Sequence, residues 1–209
     1  MKYFVKLDFH LMDDSSLAKS RHRRVAGAIL WLMLSLPMTG IDASEGRIVA
    51  RTDSDTGHKS WQFQSEDLSI EFLQVPPDFI RASYAARGLP KELIETVATQ
   101  CVFGSIVRNL SDLPLSYRVA DWRYLTADAV EHKIKTKTQW LKQWHGMGVR
   151  FSWSILADYV TFSKGDWIQG FTTVAEPHGS HIGLKVVWSI AGKRHEKILP
   201  DLECAPAPD

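Results

Sequence analysis

The residues best suited to chemistry gather at Pro177-His178-Gly179-Ser180-His181. Two imidazoles three positions apart in a loop can ligate Cu or Zn, since neutral imidazole suits both ions. His195, on the neighbouring predicted strand, is the third ligand such a site would recruit. The competing reading is a polar hairpin loop with solvent-facing histidines. Met147 is the single methionine beyond residue 43, so no methionine-rich copper(I) site is present. Apart from such a Cu or Zn ion, no cofactor is expected.

A second set is aromatic: Trp61, Trp122, Trp140, Trp144, Trp153, Trp167 and Trp188. Indole faces can form a platform for sugar rings or a partner protein, and they can equally fill a core. Trp153, Trp167 and Trp188 fall in predicted strands and are expected inside. Trp140 and Trp144 share one face of a predicted helix, where they either pack on the sheet or contact a ligand or partner.

Patterns for covalent or phosphate chemistry are missing. Gly179-Ser180-His181 lacks the last glycine of a nucleophile elbow, and no phosphate-loop or dinucleotide glycine pattern occurs. Cys101 and Cys204 are the two cysteines, with no Cys-x-x-Cys. In an oxidising compartment they are expected to join, closing a loop for which chain entropy contributes ~4–5 kcal/mol. Asn109-Leu110-Ser111 matches a glycosylation sequon.

These groups must be positioned by short strands. Arg47 to Arg51 reads as an edge strand, followed by Trp61 to Phe63 and by Leu68 to Val75, where Leu68, Ile70 and Phe72 alternate with polar residues. Asp78 is expected to cap a helix over Phe79 to Arg87 that Gly88 closes, and Pro90 opens a second over Lys91 to Gln100. Strands are then predicted over Cys101 to Arg108, Leu115 to Leu125 and Val149 to Leu156, with a helix over Thr138 to Gly146. Tyr159 to Phe162 and Trp167 to Val174, about the turn Lys164-Gly165-Asp166, read as one hairpin; Ile182 to Ile190 and Arg194 to Leu199 read as another. The tail 205–209 is proline-rich and expected to be disordered.

The sum is a mainly β chain: an antiparallel β-sandwich with a helical insertion at about 77–100 and one further helix at about 138–146. The stretches Val102 to Tyr117 and Phe162 to Gly170 resemble immunoglobulin-type sandwich domains of exported proteins, a resemblance of architecture that implies no site residues.

The address is read from the N-terminus. Arg21-His22-Arg23-Arg24 precedes an apolar run, Val25 to Leu36, which is too short to span a bilayer and has the make-up of an export signal. Residues 1–43 are therefore expected to be either a signal cleaved after Ala43 or an uncleaved membrane anchor, and residues 44–204 a single domain in the periplasm or at the cell surface. Beyond residue 43 the charges nearly cancel. That argues against nucleic-acid binding and against a polybasic membrane patch. The function expected is that of a non-catalytic accessory domain that binds another envelope protein. The alternatives are metal handling through His178 and His181 and a carbohydrate-binding or hydrolytic domain using surface tryptophans.

Overall fold

Two antiparallel sheets and three helices make up the structure, a computed structural model that describes residues 46–207 except 153. The leader, Trp153 and the last two residues lie outside the described residues.

The first sheet has the order β1-β2-β3-β4-β9, from β1 (Arg47–Thr52), β2 (Lys59–Gln64), β3 (Leu68–Gln74), β4 (Cys101–Asn109) and β9 (Trp167–Val174). The second is built on β10 (His181–Ile190), which pairs along one side with β11 (Lys193–Glu203). Along its other side β10 takes β5 (Leu115–Arg118) near its end and β6 (Arg123–Leu125) near its start. β8 (Tyr159–Phe162) and β7 (Glu131–Lys133) complete the edges. The β10–β11 hairpin turns through Ala191 and Gly192, both at positive φ, as a two-residue hairpin turn of matching twist requires.

Most of the expected strands form, and three segments differ from expectation. Leu115 to Leu125 is not one strand: a 3-10 turn at Val119–Asp121 breaks it, and this lets β5 and β6 pair end to end with the same strand, β10. Val149 to Leu156 is not a strand either. Phe151 and Ile155 alternate because they pack under the helices, and a single parallel bridge, Ile155 to Phe171, ties the segment to β9. Tyr159 to Phe162 and Trp167 to Val174 are not a hairpin. β8 pairs with β5 and β9 with β4, so the turn at Lys164-Gly165-Asp166 carries the chain from one sheet to the other.

Alternation splits the side chains of the first sheet between two cores. Phe63, Ile70, Phe72, Phe103 and Val107 face the second sheet and meet Tyr117, Trp122, Leu184, Val186 and Trp188. Val75 and Val102 face the other way, under helices α1 (Pro77–Ala85), α2 (Lys91–Ala98) and α3 (Lys137–Gly146), where they meet Ile80, Tyr84, Leu93, Val97, Trp140 and Trp144. The helices thus form a third layer over part of the first sheet.

Each helix has a local cause. Pro76 occupies the N-cap of α1 and Pro77 its first turn, and Gly88 takes φ 71° beyond its end. Asp78 does not cap; its carboxylate accepts from Arg81 at 3.0 Å. Arg81 also grips Glu95 at 2.9 and 3.0 Å and so pins α1 to α2. α3 opens with a capping box, Thr136 with Gln139. Cys101 and Cys204 are disulfide-bonded and fully buried. The bridge joins the start of β4, directly after α2, to the end of β11. The tail is not loose from its first residue: Ala205 is buried and its carbonyl accepts from the Gly179 N–H at 3.1 Å.

Candidate functional site

The histidines do not converge. His178 holds the carbonyl of Ala98 through Nε2 at 3.0 Å, tying its loop to the end of α2. His181 starts β10 and its Nδ1 lies 2.6 Å from Asp201 Oδ1. His195 stacks on Trp188, which it faces across the β10–β11 ladder. Seven positions along a strand separate His181 from Trp188, roughly 23 Å at the usual rise, so His195 stands at the far end of the sheet. The hairpin register therefore sets His195 apart from His181, while His178, in the loop before β10, is bonded to Ala98. Around His181 a polar pocket of about 300 Å³ is lined by Arg51, Lys59, Asp201 and Glu203 among others. Its two carboxylates address opposite ring nitrogens, Asp201 at Nδ1 and Glu203 at 3.9 Å from Nε2, and Lys59 pairs with Glu203. Among the described residues no group of three His, Cys, Asp or Glu is gathered as a metal ion would need.

The tryptophans are mostly core. Trp140 and Trp144 are fully buried rather than presented to a ligand. Trp140 Nε1 donates to Thr173 Oγ1 at 2.9 Å, and the Lys135 ammonium sits 3.5 Å above its ring. Partial burial holds the Lys135 amine below its ordinary value. Trp122 is buried with Nε1 donating to Val187 O at 2.9 Å, and Trp188 is buried as well. Trp167, expected inside, is 52% exposed at the start of β9. Asn109 is buried, and its amide donates to Leu113 O and Phe162 O, so the folded sequon offers no acceptor nitrogen.

A further open feature was not marked by any of these residues. A groove of about 600 Å³ runs over the outer face of the first sheet, beyond the reach of the helical layer. Register explains it. Leu73, Gly104 and Phe171 are neighbours across β3, β4 and β9 on that face, and the central member has no side chain. A Cβ built on Gly104 would find its nearest neighbour 3.7 Å away, at Val75, so a methyl would fit there in ordinary van der Waals contact and the glycine leaves a shallow notch. Ile106 continues the floor.

One wall is made by Ser152, Ser154, Ile155 and Ala157. It is tied to β9 by Phe171 N–H to Ser154 O at 2.6 Å and by Leu156 N–H to Phe171 O at 3.0 Å. Gly170 lets it approach this closely: a Cβ there would lie 2.5 Å from the Leu156 backbone. Ser154 is held at φ 79°, and its hydroxyl bonds the buried Tyr84 hydroxyl at 2.6 Å. Burial raises the Tyr84 phenol above its ordinary value, which keeps that hydroxyl protonated. The other wall is the entry to α1, with Pro76 and Phe79, whose ring is 56% exposed. His58, Gln169, Ser152 and Lys137 add the polar rim. A glycine inside a strand marks a place where something approaches the backbone; Gly104 was the signal in the sequence. Among the described residues no helix is long and apolar enough to cross a membrane. No protein-family model matches the chain and no match is found among curated proteins, so the meaning of the groove rests on its residues.

Proposed function

We propose that the chain is an exported, non-catalytic binding domain of the periplasm or cell surface, and that the outer-face groove is its binding site. In this reading the two sheets are an immunoglobulin-like sandwich carrying a helical third layer. The leader delivers it to a compartment where the Cys101–Cys204 bridge is stable. The carrying observation is the groove itself: about 600 Å³, floored by Leu73, Gly104, Ile106 and Phe171, with Phe79 exposed at its wall. Sites for small or apolar partners are concave, mostly apolar and of this size. An environment-sensitive apolar dye tests the reading. It is expected to bind the full chain at one saturable site, and Gly104→Leu, which fills the notch, is expected to abolish that binding. Dye binding unchanged in Gly104→Leu, with the fold intact by circular dichroism, would overturn it.

A further inference from the structure

Resting on that reading, we infer that the occupant is a single long acyl chain ending in a carboxylate, its chain on the Leu73–Gly104–Phe171 floor and its head at Lys137.

Backbone chemistry decides against a peptide in the groove. The floor strands β3 and β4 are paired on both sides, and β9 is bonded to β4 on one side and to the Ser154–Leu156 segment at Phe171 on the other. The peptide groups of Leu73, Gly104, Ile106 and Phe171 are thereby taken up. A chain of amides laid there would lose water without gaining partners, at a cost of roughly 1–3 kcal/mol for each group left unsatisfied. An acyl chain has no such groups and gains on every methylene it buries.

Charge decides the head group. The residues lining the groove include Lys137 and His58 and no Asp or Glu. Lys137 is the first residue of α3, and the Asp158 carboxylate already takes the N–H groups of Lys137 and Thr138 at 2.5 and 2.9 Å. The helix terminus is therefore satisfied. Among the described residues no ion pair occupies the Lys137 ammonium, which leaves it for an incoming anion. Ser152 and Gln169 also line the groove as further hydrogen-bonding groups.

The experiment is displacement of the bound apolar dye from the full chain by saturated carboxylates of ten to fourteen carbons, and by the alcohols of the same lengths, below their micelle concentrations. Carboxylates should compete, tightening about fourfold for each added methylene until the floor is covered. Lys137→Met should weaken the carboxylates roughly tenfold and leave the alcohols unchanged. Phe79→Ser alters an exposed wall residue that the fold does not need, and it should weaken both series. Alcohols binding as tightly as carboxylates to the unaltered chain, or Lys137→Met without effect, would overturn the head-group assignment while leaving the groove reading intact. Dye that binds but yields to no acyl compound would overturn the inference as a whole. Dye that fails to bind at all would overturn the groove reading with it.

Discussion

Breaking the Cys101–Cys204 bridge is the perturbation whose size follows most directly from the structure. The bridge closes a loop with a sequence separation of 103. The chain-entropy expression for a loop of that length gives about 4.7 kcal/mol at 25 °C, acting mainly on the unfolded chain. At 2–4 °C per kcal/mol for a domain of this size, the Cys101→Ala/Cys204→Ala variant should melt about 9–19 °C lower. Each single substitution removes the same cross-link, so the singles should cost nearly as much as the double and couple almost completely. Urea unfolding monitored by tryptophan fluorescence measures this. The slope m should rise in the variants, because their unfolded chain is no longer cross-linked and exposes more surface. Locally, the segment 202–205 loses one of its ties but keeps the Gln74 amide on Glu203 O and the Cys204 N–H on Ser180 O, so exchange there should quicken without the hairpin opening. A loss under about 1 kcal/mol with m unchanged would refute the reasoning, since the bridge would then constrain nothing the rest of the fold had not already constrained.

Three further outcomes can be checked by denaturation. The Tyr117 hydroxyl is buried with no hydrogen-bond partner among the described residues, and burial pushes its phenol far up; Tyr117→Phe should leave stability unchanged or raise it by up to about 1 kcal/mol, and a clear loss would reveal a partner for that oxygen. Gly170→Ala places a methyl 2.5 Å from the Leu156 backbone and should cost roughly 1–3 kcal/mol by pushing the groove wall off β9, whereas Gly104→Ala should cost little beyond strand propensity. The Arg81 guanidinium holds the Glu95 carboxyl below the ordinary carboxylate range. The pair's contribution is therefore present above about pH 4.3 and fades as acid protonates Glu95. Arg81→Ala should cost about 0.5–1 kcal/mol at pH 7, since the pair is partly exposed, and the two proteins should converge as acid protonates Glu95.

The parts of the fold legible in the sequence were those where one local rule acted alone. β3 and β4 announced themselves by apolar residues at period two or in a buried run, α2 by the proline before it, and β10–β11 by the glycine between them. The failures share a cause. Phe151 and Ile155 alternate like a strand because both point into the helical core, and alternation cannot say whether a ladder stands beside it. The turn at Lys164-Gly165-Asp166 has the chemistry of a hairpin, and nothing local says that its two arms belong to different sheets. The site was harder still. Histidines and tryptophans draw attention by their chemistry, yet the hairpin register parts His181 from His195 and the helices bury Trp140 and Trp144. The groove arises from a side chain that is absent, at Gly104, and from the neighbours that β3 and β9 bring to it.

β4 sends Phe103 and Val107 to one core and Val102 to the other. Neither core can be completed without it, so the two should not melt as separate units. A single calorimetric transition is expected, with helix and sheet signals lost together. The helical hairpin is then no removable ornament on a sandwich. Excising 77–100 would bare Val75, Val102 and Phe171 beside a groove already open to solvent, and a shortened chain would present one continuous sticky face to its own copies.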